Sequence, residues 1–133
     1  MTEAETEAFA TRHALVDPTA WAVISLSSQT LIGHLVFHPW AGPHTYEIGW
    51  VFAQEHHGRG YATEAARALL SHAFKTLGLH RVIATCQPEN PASWRVMEKL
   101  GMRREGYFRQ CIARDSGIWW DEYFYATLAD EWR

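Results

Sequence analysis

Two glycines one residue apart, Gly58 and Gly60, lie in the stretch EHHGRGYATEAARALL, between an apolar run and a segment of helical texture. Residues in this order suit an anion. The first turn of a helix leaves backbone N–H groups without intrahelical partners, and the helix dipole adds positive potential worth about 0.3 to 2 kcal/mol toward a negative group. Glycine lets the backbone come close to phosphate oxygens and adopt positive φ where needed. The loop from His57 to Thr63 therefore reads as a phosphate cradle; a tight strand-to-helix connection is the plainer alternative for an isolated G-x-G. Of two other phosphate motifs, one fails and one fits weakly. A Walker loop needs a Lys-Ser/Thr pair where Tyr61 follows Gly60. A dinucleotide fingerprint needs Gly or Ala where Thr63 stands, and an acidic residue about 20 positions on, where His80 and Arg81 stand.

Histidines at 34, 38, 44, 56 and 57 raise the question of a metal. Neither H-E-x-x-H nor a Cys/His ligand spacing supports one, so no metal is expected and His56 and His57 are placed at the solvent edge of the loop. The 133 residues suit one domain, 1–133, and 47% hydrophobic with 14% aromatic residues is enough for a core. A net charge of -3 without a basic cluster argues against nucleic acid as a partner. Cys86 and Cys111 make no disulfide framework, and neither a signal peptide nor a membrane-spanning run is visible. The expected setting is soluble and cytoplasmic, with no membrane partner.

These residues need elements to hold them. The opening TEAETEAFATRHAL is rich in helix formers and would stop at Asp17-Pro18. WAVISLS and LIGHLVFH read as two strands of a hairpin, and YEIGWVFA as a third whose apolar end suggests burial on both faces. Ala62, Ala65, Ala66, Leu69, Leu70, Ala73, Phe74 and Leu77 form one helix face, stopped by Gly78. RVIATCQ is a strand, and Asn90-Pro91 supplies a cap and a first-turn proline for a helix to Leu100. GYFRQCIAR and IWWDEYFYATL flank a turn at Asp115-Ser116-Gly117. Helix, three strands, helix, strand, helix and two strands make an α/β fold with a mainly antiparallel sheet. Trp119 and Trp120, with Tyr123, are either core or a wall of a pocket, and alternation predicts core for at least one of the tryptophans.

HGRGYA resembles the Q/R-x-x-G-x-G/A signature of the GNAT superfamily of N-acetyltransferases, with His57 where Gln or Arg is usual. NPASWRVMEKLGM and the ending EW resemble its RimJ/RimL-like branch, which acetylates ribosomal protein N-termini. The resemblance implies acetyl-CoA as cosubstrate, with its pyrophosphate on His57, Gly58, Arg59, Gly60, Tyr61, Ala62 and Thr63. It implies that the preceding strand splays from its neighbour at a bulge, so that pantetheine bonds to Trp50, Val51 and Phe52 like an added strand. The Val51 N–H would stabilise the oxyanion, a role typically worth about 2.7 to 4 kcal/mol. Asn90 would both cap its helix and bond pantetheine. Glu47 stands where relatives place a general base; its plainer role is a surface or ion-paired glutamate. Met97 occupies the place of a tyrosine that many relatives use to protonate the thiolate, and Ser93 is the substitute, or a second capping hydroxyl.

The activity implied is direct transfer of acetyl from acetyl-CoA to a primary amine, a peptide N-terminus or a small amine. A CoA-binding module that keeps the fold without the chemistry is the alternative, and the absent tyrosine speaks for it. Relatives also begin with a strand and helix that this sequence is expected to lack. Trp21 to Ser27 would then be an open sheet edge, which predicts a homodimer covering it.

Overall fold

The computed structural model describes residues 6–7, 19–53 and 60–133. Along the chain run β1 (Thr6–Glu7), β2 (Ala20–Ser25), β3 (Leu31–Pro39), β4 (Thr45–Phe52), α1 (Tyr61–Lys75), β5 (Arg81–Cys86), α2 (Pro91–Lys99), β6 (Arg103–Ala113) and β7 (Trp119–Leu128). They form one sheet in the order β1-β2-β3-β4-β5-β7-β6. Every neighbouring pair is antiparallel except β4 with β5, which are parallel and joined through α1. This is the expected mixed α/β fold.

One face of the sheet holds the core. Phe37 stands opposite Ile48 and Tyr46 opposite Val82, and their side chains join Val23, Leu35 and Ala84 against α1. The helix turns Ala65, Ala66, Leu69, Leu70 and Ala73 inward, each 0% exposed. Three alanines among these five positions let the helix axis lie close to the sheet, where larger side chains would hold it off. The second helix is fixed by polar contacts as much as by packing. Asn90 Oδ1 accepts the Ser93 N–H at 3.3 Å, Pro91 opens the first turn, and the Tyr125 hydroxyl donates to Glu98 at 2.8 Å. Met97 is buried beneath the helix.

Several expectations are corrected. Thr6 and Glu7, placed in the opening helix, are a strand paired with Ser25 and Ile24; the rest of that helix lies outside the described residues. The β2 edge expected to be open is therefore occupied at Ile24 and Ser25 by the chain's own backbone, which removes part of the basis for a homodimer. The far end of β4 is not buried on both faces, since Val51 is 54% exposed. Its pairing with β3 runs without a register shift from Tyr46 to Phe52, so no bulge interrupts that ladder. Neither tryptophan of the final hairpin is core: Trp119 is 54% and Trp120 38% exposed. Alternation does send them to opposite faces, but the hairpin reaches past β5, whose last partner on β7 is Tyr123. Arg114 covers the Trp120 ring at 4.1 Å.

Candidate active site

The ladder between β4 and β5 is short. It holds Thr45, Tyr46 and Glu47 opposite Arg81, Val82 and Ile83, and then stops, while β4 stays with β3 to Phe52 and β5 stays with β7 to Cys86. The two central strands thus part beyond Glu47. A cleft of about 480 Å³ opens there, lined by Trp50, Val51 and Phe52 of β4, by Gly60 to Thr63 at the start of α1, and by Asn90, Ser93 and further residues of α2.

Proline decides which β4 groups face the gap. Pro39 stands opposite Tyr46 and has no N–H, so that pair is a non-hydrogen-bonded one, and the Trp40 N–H donates to the Thr45 carbonyl at 2.9 Å. Strict alternation then gives the odd positions, Glu47, Gly49 and Val51, to β3. The even positions, Trp50 and Phe52 among them, turn N–H and C=O toward the side that β5 has left. Val51 therefore turns its N–H toward His34 of β3, and the neighbouring N–H that faces the gap is that of Trp50. Gly33 belongs to the same arrangement: a Cβ there would lie 2.6 Å from the Val51 carbonyl oxygen and 2.7 Å from the Phe52 ring.

At the other end of the cleft, Gly60 has φ 78°, ψ 5°, and precedes α1 without any side-chain cap. A left-handed conformation suits glycine, and the uncapped first turn leaves N–H groups such as those of Ala62 and Thr63 without intrahelical partners. The indole N–H of Trp50, on the cleft wall, is buried and meets no acceptor among the described residues. Uncapped amides at one end and outward backbone groups at the other fit an extended ligand with a phosphate head. His57, Gly58 and Arg59 lie outside the described residues.

Of the remaining expected residues, Asn90 and Ser93 line the cleft from α2. Ser93 stands by the Cys86 thiol, whose burial pushes it up to about 11. Glu47 sits where the strands part, its carboxylate 3.4 Å from His38 Nε2 and accepting the Thr85 hydroxyl at 3.4 Å. Burial holds its carboxyl above the ordinary glutamate value; His38 and Thr85 oppose that, and Glu122 adds to it. Such a carboxylate is a better proton acceptor than a solvated one.

Sequence reasoning missed four lining residues: Ala92, Arg95, Val96 and Lys99 of α2. Arg95 and Lys99 are four apart, and counting from Asn90 would have set them on the cleft face had the packing face of a helix with one buried residue been readable. They bring positive charge opposite the uncapped turn of α1. Among the described residues no three His, Cys, Asp or Glu side chains gather as a metal site, and no helix is long and apolar enough to cross a membrane.

Comparison with known proteins bears on this cleft. The family model for the acetyltransferase (GNAT) domain matches residues 1–103. An uncharacterized N-acetyltransferase of Bacillus subtilis (strain 168), YnaD, is 51% identical over 131 residues, 98% of this chain and 76% of that one. The ribosomal protein uS5-alanine N-acetyltransferase of Escherichia coli (strain K12) is 29% identical over 89 residues, 67% of this chain and 45% of that one. The crystal structure of a GNAT-family acetyltransferase from Bacillus anthracis superposes with a TM-score of 0.81 at 57% identity, covering 85% of this chain and 68% of that one.

Proposed function

The chain belongs to the GNAT superfamily of N-acetyltransferases, and on that premise we propose that it acetylates the N-terminal amine of a peptide or protein, in the manner of the RimJ/RimL-like branch. The observation that carries this reading is the parting of β4 and β5 beyond Glu47, which leaves outward-facing β4 backbone on a cleft and sets the Glu47 carboxylate where the strands part.

In this reading acetyl-CoA, the cosubstrate of the family, lies along β4 with its phosphates at the first turn of α1. Glu47 removes the proton of the attacking amine, directly or through one water, as the nitrogen bonds to the thioester carbon. The Trp50 N–H holds the oxyanion that forms. When the carbon–sulfur bond breaks, Ser93 supplies a proton to the departing thiolate and regains one from solvent. Asn90 keeps the Ser93 backbone in place.

Proton affinity favours an N-terminal acceptor. A lysine side chain, pKa about 10.4, must give up its proton at a cost roughly 3 kcal/mol greater than an α-amino group, pKa about 7.7 to 8.0. A single carboxylate base suits the second. The ribosomal relative is itself named as an alanine N-acetyltransferase.

The test is thiol release from acetyl-CoA with three acceptors: an alanine-initiated peptide, an N-terminally blocked lysine peptide and spermidine. Faster turnover with the first supports the proposal. Faster acetylation of either other amine refutes the N-terminal preference, and CoA binding with no turnover on any acceptor favours a binding module without chemistry.

A further inference from the structure

The sheet face opposite α1 carries a second carboxylate beside Glu47. Thr85, which donates to Glu47, stands opposite Phe124 on β7, and strand alternation puts Glu122, two residues along, on the same face. At that point β7 has passed its last partner on β5, Cys86 opposite Tyr123, so Glu122 lies by the mouth of the gap between β4 and β5. Glu122 is half-buried, and among the described residues no cation and no hydrogen-bond donor meets its carboxylate. It is close enough to act electrostatically on both Glu47 and Cys86, which stand on the two strands that part. Aromatic rings stand beside it: Phe124, two residues along on the same face, packs against Phe108 at 5.7 Å. Phe108 stands opposite Glu122 itself.

A half-buried carboxylate with no counter-charge favours the arrival of a cation, and aromatic faces beside it add to that preference. We infer that Glu122 receives the acceptor amine in its ammonium form at the mouth of the gap and delivers it to Glu47, with the Phe124 and Phe108 rings taking the apolar group next to the amine. This rests on the amine-transfer reading above and names the charge state and flank of the acceptor. No bond is made or broken at Glu122. The ammonium first loses one proton to water at the mouth; the neutral amine then attacks, and Glu47 takes its second proton as the nitrogen bonds to the thioester carbon. Glu122 also keeps a negative charge near Glu47. The titratable groups that face Glu47 among the described residues are His38 on β3 and Glu122 on β7, with the Thr85 hydroxyl on β5.

The test uses the whole chain with Glu122→Gln, and Glu122→Asp as a charge-retaining control. With an alanine-initiated peptide, Glu122→Gln should raise the acceptor KM about fivefold, as befits a partly exposed charge pair, leaving kcat and the acetyl-CoA KM within about twofold. Glu122→Asp should recover much of the loss. A trimethylated N-terminus, permanently cationic, should compete with the acceptor better than the desamino peptide on the wild-type protein and no better on Glu122→Gln. Carboxyl carbon NMR of Glu47, which needs no acceptor, should show its titration moving to lower pH in Glu122→Gln. Equal competition by the two analogues on the wild type, or a Glu47 titration that does not move, would overturn the inference. If none of the amines is acetylated, the amine-transfer reading fails while the Glu47 titration still decides whether Glu122 acts on the base.

Discussion

Replacing Glu47 with glutamine separates a catalytic carboxylate from a structural one, because the two roles move stability in opposite directions. The Glu47 side chain keeps 21% of its exposure, and burial is the largest influence on its carboxyl, raising its pKa above the glutamate range. A raised pKa means that the fold disfavours the ionised form. Stability linked to this group is therefore full below the unfolded-state value near 4.5, and declines as pH rises through the folded-state value. At pH 8 the glutamine, which carries no charge to desolvate, should leave the protein as stable as the wild type or slightly more so. The contacts with His38 and Thr85 oppose this, but a partly exposed ion pair is worth only about 0 to 1 kcal/mol. Catalysis should respond far more strongly. A positioned general base contributes about 10²- to 10⁴-fold, equivalent to roughly 2.7 to 5.4 kcal/mol of barrier. Thermal unfolding at pH 4 and pH 8, paired with kcat/KM across the same range, reads both. The wild type should lose activity as pH falls through the Glu47 titration, and the variant should lack that limb. A variant destabilised by about 1 kcal/mol at pH 8, with kcat/KM within about threefold of wild type, would make Glu47 an ion-pair residue and refute the reasoning.

Gly60→Ala should cost about 1 to 2 kcal/mol of stability, since φ 78° is strained for any residue with a Cβ; calorimetry should show CoA affinity falling more than tenfold, beyond what chemical denaturation records as lost stability. Removing both cleft cations of α2, Arg95→Ala with Lys99→Ala, should weaken CoA about tenfold and flatten the salt dependence of binding, with the unfolding midpoint unchanged. Tyr125→Phe takes a charged hydrogen bond from a buried hydroxyl and should cost about 1.5 to 3 kcal/mol in denaturant unfolding. Because that bond ties α2 to β7, the acetyl-CoA KM should rise with it.

Local order was legible wherever one residue's chemistry dictates it. The alanine-leucine stripe of α1, the Asn90-Pro91 start of α2 and the turn at Asp115-Ser116-Gly117 are set by side-chain period, capping and φ preference, and they stand where the sequence placed them. Gly60 of the G-x-G motif and the N-P-x-S block likewise marked two walls of the cleft in advance. What the sequence left open depends on pairing between distant strands. That β4 leaves β5 after three residue pairs, and that Trp50 rather than Val51 presents its N–H to the gap, follow from a register set by Pro39 on a different strand. The exposure of Trp119 and Trp120 follows from how far β7 outruns β5, and the place of Glu122 from the same overhang. A strand's side chains alternate whatever its neighbours do; which face meets protein, which meets solvent and which backbone groups remain for a ligand are decided only when the strands are laid side by side.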